Sequence, residues 1–333
     1  MPTEPGAFNL SPEALPPAQI DRIKDARIVP MESGRGMAHG VFRPDGSFCP
    51  GSATLLSRNR LSIAPSPPDE SQFKHLQGRH LYAGVGRHHF GHFLVEGLGR
   101  LWALDRHADE IDGILIVPKH NKDIEAVIHR RFLPFYSLLC EEKPLWLIDS
   151  PARVDELLLP SPGFGHGNWT IGTPEFRAFI RRRIAERITP DGPERVYVSR
   201  TRFKTPAHRM DQEEALERKM IKAGYVSFHP EHYTLEEQCQ VYMSAREIVG
   251  ADGSAFHLAP FALQPGTRVG LIQRRARQPA FDALVAQIRA FVDVELHTFH
   301  PLCAEAEAAT DRDAAAPIDL AALLAALKSR NFL

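Results

Sequence analysis

The chain has 333 residues, and its 40 Lys and Arg balance 41 Asp and Glu to a formal net charge of -1. It therefore lacks the basic excess of a protein that coats nucleic acid, and no nucleic-acid partner is expected. With 43% hydrophobic and 24% charged residues it falls among ordinary globular chains, at a length that suggests two domains. Apolar runs such as Ile114 to Val117 fall far short of the roughly 20 residues a membrane helix needs, and the start MPTEPGAFNL has no charged region leading into an apolar core. No transmembrane segment, no signal peptide and a cytoplasmic setting are the expectations.

Residues 1–40 are rich in Pro and Gly without a sustained period, which predicts an irregular N-terminal arm. From Leu81 a short apolar strand, Leu81 to Val85, leads through a glycine turn into a helix-period segment, Gly91 to Leu104. A continuous apolar strand follows at Gly113 to Val117, then an amphipathic stretch, Asp123 to Leu139, then strands at Leu145 to Ile148 and Glu156 to Leu159. That alternation predicts a mostly parallel sheet covered by helices. Ser161 to Gly172, with four glycines, His166 and Asn168, reads as a domain boundary or a loop at a cleft, before a basic helix, Pro174 to Ile188.

The second half is more regular. Strands at Arg195 to Ser199, Tyr225 to Phe228, Glu247 to Gly250 and Arg268 to Ile272 alternate with helices at Gln212 to Ala223, Leu235 to Ser244 and Ser254 to Leu263. This is the pattern of a doubly wound α/β sheet, which binds ligands at the carboxyl ends of its strands. Ser199-Arg200, the turn Phe228 to Glu231, and Gly250 to Ser254 are thus expected at one crevice. Beyond Ala304 the chain is alanine-rich and ends in an amphipathic stretch, Ile318 to Leu327, suited to packing. Cys49, Cys140, Cys239 and Cys303 show no CxxC spacing and read as free thiols.

Three segments could carry chemistry. In VGADGSAFHLAPF (Val249 to Phe261) a strand turns through Asp252-Gly253 into a helix near Ser254, so that free N–H groups and the positive helix end form an anion site; the alternative is ordinary capping by Asp252 and Ser254. Arg200 ends the preceding strand, and the loop behind it holds Arg202, Lys204, His208 and Arg209, cations suited to a diphosphate or simply a solvated basic loop. In RHHFGHFLVEGLGRLW (Arg87 to Trp102), His92 and Glu96 share a helix face near its N-terminus, where the dipole favours a neutral, proton-accepting imidazole. His88, His89 and His92 as a metal site, or as structural groups, are the competing readings; no HExxH pattern is present. Asp311-Arg312-Asp313 spells DxD but lies in the alanine-rich tail, away from any strand end, and is read as chance.

Together FGHFLVEGLGRLW, YVSR, RMDQEEAL, PEHYTLEEQCQVYMSAREIVG and GADGSAFHLAPFALQPGTRV, spread over about residues 80–272, resemble the family-61 glycosyltransferases, which include bacterial polysaccharide-synthesis enzymes. The resemblance implies a GT-B-like α/β fold, two Rossmann-like domains facing across a cleft, and an inverting transfer that needs neither metal nor cofactor. The expected organisation is then the arm 1–40, an acceptor-side domain 41–172, a nucleotide-sugar-binding domain 173–300 and a helical tail 301–333. The sequence departs from the family where many members read His-Gly-Ala-Gly: here Asp252-Gly253-Ser254-Ala255 stands, with His257 one turn later.

The expected partners are a nucleotide-sugar donor, taken as UDP-linked, and a saccharide or glycolipid acceptor. Donor contacts are assigned to Arg200, Arg202, Arg209, Asp252, Gly253, Ser254, Ala255 and His257; Asp252, which would repel a diphosphate, is assigned to the helix cap or to the ribose or sugar hydroxyls. His92 or Glu96 is the base for the acceptor hydroxyl. The rival readings are a nucleotide-sugar epimerase, a non-catalytic nucleotide-sugar-binding protein, and a metalloprotein using the histidines. Surface-polysaccharide assembly at the inner face of the membrane is the setting the family suggests, and the arginines of the basic helix are a candidate peripheral contact with lipid head groups, against a plain solvated face.

Overall fold

The computed structural model describes residues 8–32, 34, 36–119, 124–140, 143–205, 209–304, 306 and 315–333. His208 and the Asp311-Arg312-Asp313 match lie outside the described residues. The chain divides into two compact units, Met1–Arg183 and Ile184–Leu333, each with its own sheet. Two separate α/β sheets are consistent with two Rossmann-like domains.

In unit 1, β1 (Ile20–Val29), β2 (Gly40–Phe42), a small hairpin of β3 (Leu55–Ser57) and β4 (Arg60–Leu61), and β5 (Lys74–Gly86) precede α1 (Phe90–Gly97) and α2 (Leu104–His107). Then come β6 (Gly113–Pro118), α3 (Ile124–Val127), α4 (Leu133–Leu139), β7 (Leu145–Leu147), β8 (Ala152–Pro160) and α5 (Pro174–Arg187). The six-stranded sheet runs β2-β1-β8-β5-β6-β7. Its β8-β5-β6-β7 portion is parallel, as the apolar runs lead one to expect, whereas β1 joins antiparallel to both β8 and β2. The core packs Ile23, Ile28, Val41, Tyr82, Leu115 and Leu157.

β1 overturns the expectation of an irregular arm over residues 1–40. Its solvent side carries Arg22 and Arg27, paired to Glu110 at 2.7 Å and Glu70 at 2.6 Å, so charge hides the strand. Asp25, at φ 53°, also shifts the phase of burial from Asp21 and Ile23 to Ala26 and Ile28. In the basic helix Arg177 donates to the carbonyls of Ile171 and Gly172, Arg182 pairs with Asp105, and Arg183 is buried over the Phe179 ring.

Unit 2 contains β9 (Arg195–Val198), α6 (Glu213–Lys222), β10 (Val226–Phe228), α7 (Leu235–Ser244), β11 (Glu247–Ala251), α8 (Ala255–Ala262), β12 (Arg268–Ile272), α9 (Gln278–Phe291), β13 (Glu295–Phe299) and α10 (Leu320–Ser329). All five strands are parallel, in the order β10-β9-β11-β12-β13. Numbered within the unit this is 2-1-3-4-5, the flavodoxin-like order whose switch point lies between the first and third strands. α9 and β13 extend the sheet beyond the four strands read from sequence. The tail packs α10 into the core through Leu323 and Leu327, beside Tyr197, Leu216, Val249 and Ile272. All four cysteines are free, and no helix among the described residues is long and apolar enough to cross a membrane.

Candidate functional site

The switch point of unit 2 falls between β9 and β11, and the residues that follow those two strands are Ser199-Arg200 and Asp252-Gly253-Ser254. The backbone N–H of Arg200 donates to Glu213 Oε1 at 2.7 Å, which fixes the turn out of β9. The guanidinium is buried over the Phe203 ring, 4.5 Å from its centroid, and lies directly against Gly253: a Cβ there would stand 2.5 Å from Arg200 Nη1. Glycine at 253 thus leaves the space that the guanidinium occupies at the start of α8. The N–H groups of Gly253, Ser254 and Ala255 stand at the same helix end.

Asp252 does not cap α8, and that part of the expectation is corrected. No side-chain cap closes the helix at Ser254. Asp252 is buried, its Oδ1 accepting from the Arg274 N–H at 2.7 Å and its Oδ2 from Arg275 Nε at 2.8 Å and Nη2 at 2.6 Å. Arg274 in turn donates from Nε to the Asp252 carbonyl at 2.9 Å. The aspartate therefore assembles two further guanidiniums beside Arg200. Burial draws the Arg200 pKa down against the opposing pull of Glu213 and Asp252. The same burial, followed by the repulsion of Arg200, draws Arg274 down to about 9. An anion entering here would relieve crowded positive charge.

Sequence reasoning missed Arg274 and Arg275, although the signal was present: they follow the carboxyl end of β12, and the strand-end rule was applied only to its neighbours. Of the other predicted donor residues, Arg202 is exposed on the loop, and Arg209 donates from Nε to the Phe203 carbonyl at 2.8 Å. His257 is turned toward α9, its Nδ1 2.7 Å from Gln287 Oε1 while Gln287 Nε2 donates to the His257 carbonyl at 2.9 Å. That reciprocal pair ties α8 to α9. A cavity of about 620 Å³ flanks this strand end on the side of Thr201, Arg209, Asp211 and Glu213 and is not lined by Asp252 to Ala255.

In unit 1, Gly84 at φ 103° lets β5 pass close under α1, since a Cβ there would stand 3.1 Å from the Glu96 carbonyl. The loop after β8 is fastened to the chain beyond α1 by Gly163 N–H donating to the Gly99 carbonyl at 2.7 Å and Trp102 Nε1 donating to the Ser161 carbonyl at 2.8 Å. The same loop delivers His166. Glu96 Oε1 then meets His92 Nδ1 at 2.6 Å, His166 Nε2 at 2.8 Å and Arg87 Nη1 at 3.0 Å. Burial alone would raise the Glu96 pKa, but the hydrogen bonds from His166 and His92 and the charges of His166 and Arg87 hold it down to about 2.

The carboxylate is fully shielded while the His92 and His166 rings keep 31% and 21% of their side-chain surface exposed. Against a carboxylate, His92 Nδ1 carries the proton and donates, which leaves the lone pair of the neutral ring on Nε2. A buried carboxylate orienting a partly exposed imidazole is the arrangement of a general base. The ligand atoms of His92, Glu96 and His166 lie within 4.8 Å of one another, a spacing a metal ion could use. Here that space is filled by hydrogen bonds converging on one oxygen, with the Arg87 cation among them. The rival metal reading of His88, His89 and His92 finds no support among the described residues, where His88 and His89 stand on the exposed turn before α1.

Residues 90–270 match the family model Glycosyltransferase 61. The match covers more than half of the chain and includes His92, Glu96, Arg200 and Asp252. No curated protein matches the chain. The chain belongs to the glycosyltransferase 61 family, and that membership implies glycosyl transfer, with a sugar donor and an acceptor.

Proposed function

We propose that this family-61 glycosyltransferase takes its sugar from a nucleotide-sugar of the UDP-linked class and transfers it, with inversion and without a metal, to a hydroxyl of a saccharide or glycolipid. Unit 2 is the donor half and unit 1 the acceptor half of a GT-B-like enzyme. The observation that carries the reading is the Arg200 guanidinium seated on Gly253 at the start of α8, with Arg274 and Arg275 gathered beside it by Asp252. Fixed guanidiniums and helix-end N–H groups stabilise the charge that grows on a departing diphosphate, the task a divalent ion performs elsewhere. His92, held by Glu96, takes the proton of the attacking hydroxyl, and a single displacement inverts the anomeric centre. Asp252, the departure from the family pattern, builds the cationic wall and so gives no ground for a degenerate binding protein. The setting we propose is surface-polysaccharide assembly in the cytoplasm, at the inner face of the membrane.

The test is transfer and binding with UDP-, GDP- and CMP-sugars, with and without EDTA, in the wild type and in Arg200→Ala. One nucleotide class should bind, EDTA should change nothing, and the variant should lose about 3–4 kcal/mol of transition-state stabilisation, roughly 10²- to 10³-fold in rate. Normal turnover by Arg200→Ala, or isomerised sugar formed from donor alone, would overturn the reading.

A further inference from the structure

The turn after β10 holds the least satisfied polar groups of unit 2. Both carboxylate oxygens of Glu231 are shut away from solvent without a hydrogen-bond partner, and so is Nδ1 of the adjacent His229, itself a buried residue. The turn is held in place, because Pro230 begins it and Gln238 Nε2 of α7 donates to the carbonyls of Pro230 at 2.8 Å and Tyr233 at 3.1 Å. A buried carboxylate with no donor is costly, and a native protein keeps one where something else supplies the donors. The nearby guanidinium of Arg200, close enough for Glu231 to act on its charge, disfavours a resident cation here.

Position narrows the ligand. β10 pairs with β9, whose end carries Arg200, and lies two strands, roughly 10 Å, from the start of α8. A nucleotide held by its phosphates at Arg200 and α8 presents its ribose across the neighbouring strand end, and a carboxylate there repels phosphate but accepts two O–H groups at once. Acidic residues at the end of the second strand of a doubly wound sheet take ribose hydroxyls for this reason. We infer that Glu231, with His229 Nδ1 beside it, binds the vicinal hydroxyls of the donor ribose. The inference rests on the donor reading above and adds a residue that discriminates ribose from deoxyribose.

The test is calorimetric titration of the full chain with UDP, GDP and CMP, with the 2′-deoxy form of whichever binds, and with inorganic pyrophosphate, in the wild type and in Glu231→Gln. Expected are a roughly 10- to 100-fold weaker affinity of the wild type for the deoxynucleotide, and a similar loss for Glu231→Gln with the ribonucleotide. The two losses should not add, and pyrophosphate binding should not weaken, since the variant removes a negative charge near Arg200. The ligand-side comparison needs no variant, so misfolding of Glu231→Gln cannot hide the answer. Equal affinity of the wild type for ribo- and deoxynucleotide overturns the inference and leaves the donor reading standing, as does an equal loss of pyrophosphate binding in the variant. Failure of the wild type to bind any nucleotide removes the donor reading, and this inference falls with it.

Discussion

Replacing Asp252 separates a wall-building role from direct contact with the donor. Its Oδ2 accepts two charge-assisted hydrogen bonds from Arg275, at 2.8 and 2.6 Å, and its Oδ1 accepts the Arg274 N–H, all out of solvent. Asp252→Ala leaves Arg275 facing Arg200 and Arg274 with no acid between them, and breaking a buried pair from one side costs about 3–5 kcal/mol. Asp252→Asn keeps the Oδ1 acceptor but turns an amide toward Arg275, for a loss of about 2 kcal/mol. In a unit of this size each kcal/mol lowers the melting temperature by about 2–4 °C, so the alanine variant should melt at least about 6 °C lower and the asparagine variant about half as far. Inorganic pyrophosphate at about one hundred times its dissociation constant should restore about 2.7 kcal/mol, since it replaces the missing negative charge. Calorimetric melting with and without pyrophosphate measures all of this. An alanine variant as stable as the wild type would refute the argument, and weakened donor binding at full stability would return Asp252 to the donor itself.

Further outcomes follow from the other groups. Gly253→Ala places a Cβ 2.5 Å from Arg200 Nη1 and forces the guanidinium off its seat, so donor affinity should fall about tenfold; unchanged affinity in a binding titration would remove Arg200 from the site. Glu96→Gln should cut turnover by at least about 10²-fold in a transfer assay while donor affinity stays as it was, because the imidazolium formed at His92 loses its counter-charge; full activity would dismiss the dyad. The depressed Glu96 contributes stability that is present above about pH 4.5 and lost as pH falls toward 2, and acid unfolding of Glu96→Gln should lack that component. His39 is buried, with Nδ1 2.6 Å from the Met37 carbonyl, and burial pushes its pKa down to about 4. Its contribution is whole above about pH 6.5 and declines by up to about 3 kcal/mol as pH falls to 4, a slope that His39→Gln should flatten in denaturant titrations at stepped pH.

What the sequence discloses follows from how each segment meets water. The central strands β9, β11 and β12 of unit 2 and the apolar runs at β6 and β8 are buried on both faces, so they read as continuous hydrophobic stretches between turns. β1 is the opposite case: salt bridges cover one of its faces and Asp25 breaks its alternation, so its period could be read only with its partners in view. At the site, His92, Glu96, Arg200 and Gly253 were legible because each stands at a strand end or on the first turns of a helix. His166 was not, since only the fastening of its loop to Gly99 and Trp102 brings it 2.8 Å from Glu96 across 70 residues of chain. Asp252 was legible in position, but its bonds to Arg274 and Arg275 were not, because those partners lie one strand further along the chain.

The pairing of β1 with β8 also sets a timetable for synthesis. Ile20 meets Pro160 and Ile28 meets Ala152, so about 130 residues separate the end of one strand from the partner stretch it needs. At about 5–20 residues per second a ribosome takes roughly 7–26 s to supply β8 after β1 has been made. Over that interval only β2 is there to pair with β1, and its other edge has no permanent neighbour. Arg22, Lys24 and Arg27 on that strand then carry charge that discourages other nascent chains from adding to it.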